Sequence, residues 1–596
     1  MNLKLFSANI LKWLFIQTNS RVNKEKNFSG DINVSNIKEN ISIIRDNWNI
    51  PHMSSKNKND LFFAQGFVHA QDRLWQLEMS RRIAMGNLSE AFGEIALPTD
   101  RLTRTLGFNR LAYQDINLIN SENLSFLQSF SDGINFYIEN YPKPVEFFLT
   151  RIKPKKWEPI HSVAWGRVMS WTLSHGWSGA LTRQQIIDKV GIDLAEELNI
   201  IYPEKNPIEL PNGFEFNKLS LDGMYESITG PFLYKDMEGG GRGSNAWAVS
   251  AKKSISGAPI LCNDTHLPIQ IPSVWYINHL KSKNYHTIGA TMPGLPGIII
   301  GHNEKISIGI TLSFLDNEDI FIEKISDKND NKYIYNNEEI DFKIIEETIK
   351  IKNKKDHIEK IRITKHGPLI GGVTDHGKIN ISLCSQALQT NQMINGLFKL
   401  NHAQNWDEFV EACNILDSPP LNFVYADIYN NIGLWVTGKM PIRKNGEGQL
   451  PVPGWTDKFE WTDNIPPKNM PHLLNPKSGY IISCNNKITN KDYPYFLSHS
   501  FMNGYRAKRI EDVIKSKNII TFNDCKNLHT DFYSIPGTLI LNGLLKNFKS
   551  AKPKVEKVLN AIIDWDGYLD SESIGGTVYQ VFSYTLIRNI VEPKLG

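Results

Sequence analysis

Near its middle the chain reads Gly239-Gly240-Gly241-Arg242-Gly243-Ser244-Asn245-Ala246-Trp247-Ala248-Val249. The glycines permit backbone conformations that bulkier residues cannot adopt, and they end at a serine where an alternating apolar stretch begins. A Walker A phosphate loop is excluded, because its Gly-Lys-Ser/Thr ending is absent. A flexible loop before a strand and a reactive serine remain open, and the rest of the chain decides between them.

The composition is that of an ordinary large globular protein. The 596 residues are 41% hydrophobic and 22% charged, and the net charge of +3 gives no reason to expect nucleic acid or a membrane surface as partner. Five scattered cysteines contain no C-x-x-C pair, so neither a zinc site nor a dense disulfide framework is indicated. Residues 1–30 begin like a weak signal peptide, which favours a periplasmic over a cytoplasmic location, and no later run is long enough to span a membrane.

A long block upstream carries the most specific pattern. It reads RDNWNIPHM from Arg45, then DLFFAQGFVHAQDRLWQLEMSRRIAMGNLSEAFG from Asp60. The apolar spacing predicts a helix from Asp60, as its cap, to about Met85, and Gly86 is typical of a helix stop. Polar side chains on such a helix are more often buried structural groups than catalytic ones, and this interpretation is taken for His69, Asp72, Arg81 and Arg82.

This block resembles the opening of the α-chain of the penicillin acylase family, within the N-terminal-nucleophile hydrolases. In that family a Gly-Ser bond breaks by attack of the serine hydroxyl, so the resemblance implies cleavage between Gly243 and Ser244. It divides the chain into a signal-like start (1–30), a helix-rich α-chain (31–215), a spacer (216–243) and a β-chain (244–596). The α and β chains then form a heterodimer from one precursor.

Cleavage would also supply the base. A serine hydroxyl is a weak nucleophile, but an N-terminal serine carries an α-amine with an ordinary pKa of about 7.7–8.0. That amine can accept the hydroxyl proton, through a water, and return it to the leaving amine. Before cleavage residue 244 has only an amide nitrogen.

Downstream of Ser244 the pattern is that of short strands. Alternation predicts strands over residues 245–250, 259–263, 274–280, 285–290, 297–301 and 307–312, and a protruding hairpin over 326–363. The resemblance implies an α+β fold, the four-layer αββα sandwich of two antiparallel sheets between helices. Family chains run well beyond Gly596, which suggests a fragment or a shortened member.

The family's oxyanion donors fall on the backbone N–H of Leu312 and the side-chain amide of Asn485. His266 falls where relatives place His or Gln beside the nucleophile, and it would bind the amine or orient the serine. An arginine that sets the electrostatics of the amine matches Arg509 best, with Arg506 second.

An apolar acyl pocket is implied with Leu267, Ile300 and Ile310 in its wall. Aliphatic residues at these positions suit an aliphatic acyl chain as well as an aromatic one. No cofactor is required, but some relatives bind structural calcium. Asp316, Asp319 and the backbone oxygen of Glu318 match that site as hard oxygen ligands, whereas Ala180 and Leu497 stand where two carboxylates are expected.

The predicted function is hydrolysis of a small-molecule N-acyl amide, such as a penicillin, through an acyl-enzyme on Ser244. A quorum-quenching acyl-homoserine-lactone acylase and an inactive binding homologue remain the alternatives.

Overall fold

The computed structural model describes residues 29–595 apart from residues 36, 175, 198–201, 211–242, 375–378, 544, 546–547 and 550–551. The signal-like start up to residue 28, the glycines before Gly243 and most of the predicted spacer therefore lie outside the described residues. Within the described ranges, no helix combines the length and apolar character needed to cross a bilayer.

The helices are concentrated at the two ends of the chain. In chain order they are α1 Lys58–Met85, α2 Ser89–Phe92, α3 Leu97–Leu106, α4 Phe108–Asp115, α5 Ser121–Asn140, α6 Val145–Thr150, α7 Pro159–Thr172, α8 Trp177–Val190, α9 Ile192–Glu197, α10 Met393–His402, α11 Trp406–Ile415, α12 Tyr505–Lys515, α13 Phe522–His529, α14 Ile535–Gly543, α15 Pro553–Ile563 and α16 Ile574–Leu595.

The strands are short and lie mostly between α9 and α12. They are β1 Ile41–Arg45, β2 Pro51–Ser55, β3 Gly243–Val249, β4 Ile260–His266, β5 Tyr276–Ser282, β6 Tyr285–Thr291, β7 Ile300–Asn303, β8 Ile306–Leu312, β9 Glu318–Ile322, β10 Lys332–Tyr335, β11 Glu338–Asp341, β12 Lys343–Ile349, β13 His357–Ile363, β14 Ile381–Ser385, β15 Leu421–Asp427, β16 Ile432–Val436, β17 Pro441–Arg443, β18 Val452–Pro453, β19 Trp461–Asn464, β20 His472–Leu474 and β21 Tyr480–Ser483.

The middle of the chain forms four layers, in which two stacked sheets lie between helices. One face of a nine-stranded sheet, ordered β1-β2-β5-β6-β7-β8-β15-β16-β20, is covered by helices that include α1, α10 and α11. Its other face packs on a three-stranded sheet, β21-β3-β4, whose outer side meets α12. The predicted α+β sandwich is thus confirmed, with one correction: β2 pairs with β5 in parallel. The β1–β2 hairpin comes from the predicted α-chain, so the two predicted chains share one sheet.

Helix α1 forms where the apolar spacing predicts it, and Gly86 ends it in the left-handed region with φ 60°. Its cap differs from the prediction. The side chain of Asn57 accepts the N–H of Asp60, and the Asp60 carboxylate instead accepts the N–H groups of Lys38 and Glu39. Asp60 therefore holds the preceding segment against α1 and does not cap the helix.

The six predicted strands after Ser244 are all present, with ends shifted by a few residues. Residues 326–363 form two hairpins, β10–β11 and β12–β13, in place of the one predicted. The four polar residues singled out on α1 have structural partners: His69 lies beside Asn278, Asp72 pairs with Arg45, and the remaining two, Arg81 and Arg82, contact Glu78.

Candidate active site

Gly243 and Ser244 begin β3, in the smaller sheet. Ser244 is only 7% exposed. Its backbone N–H donates to Oδ1 of Asn485 over 2.6 Å, and its hydroxyl donates to the carbonyl oxygen of Gly243 over 2.7 Å. The hydroxyl therefore lies against the carbonyl group of the peptide bond predicted to break.

Asn485 follows β21 and is buried at 1% exposure with a positive φ of 62°, a conformation that asparagine tolerates better than most residues. Its Oδ1 accepts from the Ser244 N–H and from Nη2 of Arg506, over 2.6 and 2.9 Å. Both partners are donors only, which fixes the orientation of the amide. The Nδ2 group donates to the carbonyl oxygen of Leu312 over 2.8 Å. Since an amide nitrogen carries two hydrogens, one remains for another acceptor.

Arg506, on the first turn of α12, is the arginine that reaches Ser244. Its Nη1 donates to the Ser244 carbonyl oxygen and to Oδ1 of Asn245, each over 2.6 Å. Burial lowers the pKa of Arg506, yet an arginine stays charged at neutral pH. The site therefore contains a fixed positive charge.

Arg509, the better sequence match, lies elsewhere. Its guanidinium pairs with Asp531 over 2.8 Å and contacts Tyr568. Three residues along a helix rotate a side chain by about 300° and advance it by about 4.5 Å, so the two arginines meet different neighbours. The structure thus assigns the contact with Ser244 to Arg506 and corrects the choice of Arg509.

His266 ends β4, opposite Gly243, whereas Thr265 is the residue opposite Ser244. Its Nε2 lies 2.7 Å from Oδ2 of Asp264. Although burial opposes the shift, hydrogen bonds and charge from His266 and His529 hold the pKa of Asp264 well below its ordinary value. His266 Nδ1 lies 3.1 Å from where a Cβ on Gly243 would be. His266 thus lies beside the Gly243–Ser244 junction, the bond predicted to break, on the side of Gly243.

A deep apolar pocket opens at Ser244. Leu267 and Ile310 are in its wall, as predicted, but Ile299 takes the place predicted for Ile300. The rest of the apolar lining is mostly aliphatic: Met169, Leu173, Val274, Met292, Leu295, Met393, Leu397, Leu400, Leu416 and Leu421, with Trp275 and Phe423 as its aromatic members.

At the predicted calcium position, one of the two carboxylates is paired with an arginine. Both carboxylate oxygens of Asp319 lie within 3.1 Å of Arg443, and Arg443 also donates to the backbone oxygen of Asp316. Across the described part of the chain, no group of three or more His, Cys, Asp or Glu side chains converges as a metal site would require. Calcium needs six to eight oxygen ligands, and of the predicted set the Asp319 carboxylate is already paired with Arg443.

Two residues that sequence reasoning missed adjoin the site. Asp264 lies two residues before His266, a spacing that places both side chains on one face of β4 and was visible in the sequence. Glu209 lies in the aperiodic stretch before the glycines, where only its apolar neighbours Ile208 and Leu210 signal burial. It is 3% exposed and hydrogen bonds Ser483, two residues before Asn485.

Comparison with known proteins adds three findings. The family model described as penicillin amidase matches residues 40–596. The penicillin acylase 2 proenzyme of Pseudomonas sp. (strain SE83) is 30% identical over 94% of this chain and 73% of its own, and the acyl-homoserine lactone acylase QuiP of Pseudomonas aeruginosa is 27% identical over 95% and 71%. A solved structure, thermostable penicillin G acylase from Alcaligenes faecalis, covers 54% of this chain and 59% of that one at 21% identity and a TM-score of 0.48.

Proposed function

Because this chain belongs to the penicillin amidase family and is therefore an amide hydrolase, we propose that its nucleophile is Ser244, released by cleavage of the Gly243–Ser244 bond. One observation carries the proposal. The Ser244 hydroxyl is 2.7 Å from the carbonyl oxygen of Gly243, and its nitrogen is held by an oriented amide. The predicted reactive groups thus meet at the predicted bond.

The chemistry follows from what each group does after cleavage. The new amine stays beside Oδ1 of Asn485, and the charge of Arg506 disfavours its protonation, because like charges in a buried site repel. The unprotonated amine accepts the hydroxyl proton, and Ser244 Oγ attacks the acyl carbon. The leaving amine then takes that proton, and a water molecule hydrolyses the acyl-enzyme in the same way.

Two donors are available for the developing oxyanion. One is the second hydrogen of Asn485 Nδ2, and the other is the backbone N–H of Leu312, whose carbonyl oxygen Asn485 already holds. Such donors are worth on the order of 3 kcal/mol each when they are pre-oriented. His266, held by Asp264, orients the groups on the Gly243 side of the junction.

The acyl group is proposed to be aliphatic. Leucine, isoleucine and methionine dominate the pocket, and flexible aliphatic side chains accommodate a long unbranched chain better than a planar ring. As the whole substrate we propose an N-acyl amide such as a penicillin. An acyl-homoserine lactone is the second candidate, because the aliphatic lining suits its acyl chain too.

We also propose that the processed enzyme consists of an α and a β chain in the periplasm. Both parts supply strands to the nine-stranded sheet, which would hold them together after cleavage. Export rests on the signal-like start of the sequence.

N-terminal sequencing of the purified protein tests the proposal. We expect a new end at Ser-Asn-Ala-Trp in place of a single 68.0 kDa chain. Ser244→Ala should abolish both cleavage and hydrolysis, whereas Ser250→Ala, just beyond the same strand, should retain both. An intact wild-type chain, or hydrolysis by Ser244→Ala, would overturn the assignment.

The acyl preference is tested with substrates that differ in one part at a time. Straight-chain and phenylacetyl groups on the same amine compare the acyl side, and we expect the straight chain to give the higher kcat/KM. The same straight chain on homoserine lactone and on aminopenicillanic acid then compares the amine side. A preference for phenylacetyl would contradict the aliphatic assignment.

A further inference from the structure

The segment from Tyr202 to Leu210 is fastened to the loop that carries Asn485. The N–H groups of Glu209 and Leu210 donate to the carbonyl oxygens of Lys487 and Ile488, each over 2.9 Å. The side chain of Asn486 also donates to the carbonyl oxygen of Pro207, over 3.0 Å. A segment that sequence patterns read as loop is therefore part of the support of the site.

Glu209 is the one carboxyl group of this segment that is buried, whereas Glu204 is exposed. Its Oε1 accepts from the Ser483 hydroxyl over 2.6 Å and lies 3.1 Å from Nδ2 of Asn422. Ser483 also lies 2.6 Å from the hydroxyl of Thr311, and either oxygen can be the donor.

These partners come from both stacked sheets. Thr311 is on β8 and Asn422 on β15 of the large sheet, and Ser483 ends β21 of the small one. Thr311 directly precedes Leu312, and Ser483 lies two residues before Asn485. One carboxyl group thus ties together the two strand ends that carry the proposed oxyanion donors.

The surroundings favour the protonated form of this carboxyl. Burial raises the pKa of Glu209 well above its ordinary value, and the hydrogen bond from Ser483 only partly opposes the shift. Oε2 is buried without a hydrogen-bond partner among the described residues, and a carboxylate left so would be costly. The titratable groups facing it are Tyr202 and Cys484, and because burial raises the pKa of each, both are uncharged near neutral pH.

We propose that Glu209 is a positioning residue for the reaction at Ser244: its carboxyl group aligns Thr311 with Ser483, and through them Leu312 with Asn485. The inference rests on the proposed function. It requires that the segment through Leu210 stays bound in the processed enzyme, so that the upstream chain ends beyond Leu210.

Three variants of the full chain test it: Glu209→Ala, Glu209→Gln and the matched control Glu204→Ala. Glu209→Ala is expected to lower kcat about tenfold or more, since a buried hydrogen-bond network loses its acceptor, with KM changed less than about twofold. Glu209→Gln keeps the Oε1 acceptor and should stay near the wild-type kcat at neutral pH. Intact mass of the upstream chain should include Leu210.

The pH profile separates positioning from simple packing. The wild-type kcat should fall at alkaline pH as Glu209 ionises. Glu209→Gln has no group that ionises at this position and should not show that fall. Equal losses in Glu209→Gln and Glu209→Ala, or a lowered Tm in Glu209→Ala with unchanged kcat, would overturn the inference. If Glu209→Ala does not fold, the profile of Glu209→Gln decides alone.

Failure of the proposed function has a different signature. Wild type and Glu204→Ala would then be uncleaved and inactive together with the Glu209 variants. Loss confined to Glu209→Ala, with rescue by glutamine, supports the positioning role alone.

Discussion

The junction at Ser244 and the carboxylate cluster at Asp316–Asp319 were both assigned by resemblance to one family, yet they differ in how they are built. At the junction Ser244, Asn485 and Arg506 are interlocked by hydrogen bonds of 2.6–2.9 Å. In the cluster, buried oxygen atoms of Asp316 and Glu318 have no hydrogen-bond partner among the described residues, and burial raises their pKa values to about 7 and about 8.

This difference indicates which kinds of residue assignment can be carried over from the family to this chain. The junction depends on neighbouring strands whose register fixes the backbone, so the matched residues meet even when side chains around them change. A calcium site depends on side chains from separate segments converging on one point, and here Ala180 and Leu497 stand at two of those positions. The guanidinium of Arg443 instead lies 2.9 Å from Asp319 and 3.5 Å from Asp316.

The largest effect is expected from Arg443→Met. This change leaves the buried carboxylate of Asp319 without its ion pair, and removing one partner of a buried pair costs about 3–5 kcal/mol. The shift of the chemical denaturation midpoint measures it. Lys444→Met is the control, because its exposed pair with Asp457 is worth under about 1 kcal/mol. Equal midpoints for the two variants would show that Arg443 does not stabilise the cluster.

The second prediction concerns the two arginines of α12. Arg506→Met should slow hydrolysis about 10²–10³-fold, the usual loss when a pre-oriented charged donor is removed from a site. Arg509→Met removes the partly buried pair with Asp531 and the contact with Tyr568, neither of which reaches Ser244, and it should change kcat less than about threefold. Single-turnover hydrolysis of one N-acyl amide measures both. A larger loss for Arg509→Met would restore the original sequence match.

Sequence alone predicted the parts of this site that a regular element fixes. The α1 helix and the strands around Ser244 follow from periodicity, and Asn485 was placed by its motif. The choice between Arg506 and Arg509 was open because a motif match leaves a shift of a few residues undecided, and only the three-dimensional packing of α12 resolves it. The pocket wall contains Ile299 where Ile300 was predicted, which is a shift of the same kind by one residue.

Glu209 could not be predicted in this way. Its segment has no periodicity, and its partners lie more than 100 residues further along the chain. A buried carboxyl with hydroxyl and amide partners depends on how strands of two sheets come together, which local patterns do not encode. The lone Glu between Ile208 and Leu210 was the only local signal.

A third prediction uses pH to examine the cluster. Burial raises the folded-state pKa of Glu318 to about 8 from the ordinary 4.5, so the folded chain binds this proton more tightly than the unfolded chain. Its contribution to stability is full below pH 4.5 and is lost as pH rises towards 8, at up to about 1.4 kcal/mol per unit. Glu318→Gln has no such loss.

Glu318→Gln should therefore gain about 1–3 kcal/mol relative to wild type between pH 5 and pH 8. Thermal unfolding at the two pH values measures the gain. The exposed Glu338→Gln is the control and should change little with pH. A difference between Glu318→Gln and wild type that does not change between pH 5 and pH 8 would mean that Glu318 is already ionised in the folded protein at pH 5.

The smallest effect is expected from calcium itself. Prolonged dialysis against a calcium chelator should leave Tm and the extent of cleavage unchanged, and added calcium should raise neither, because Asp319 is already engaged by Arg443. Arg443→Met provides the contrast: with the guanidinium gone, Asp316 and Asp319 regain net negative charge, and any calcium-dependent rise in Tm should appear in that variant alone. A fall in the wild-type Tm on chelation, reversed by calcium but not by magnesium, would show that the ligand set is completed by other oxygens, and the contrast with the Ser244 junction would then disappear.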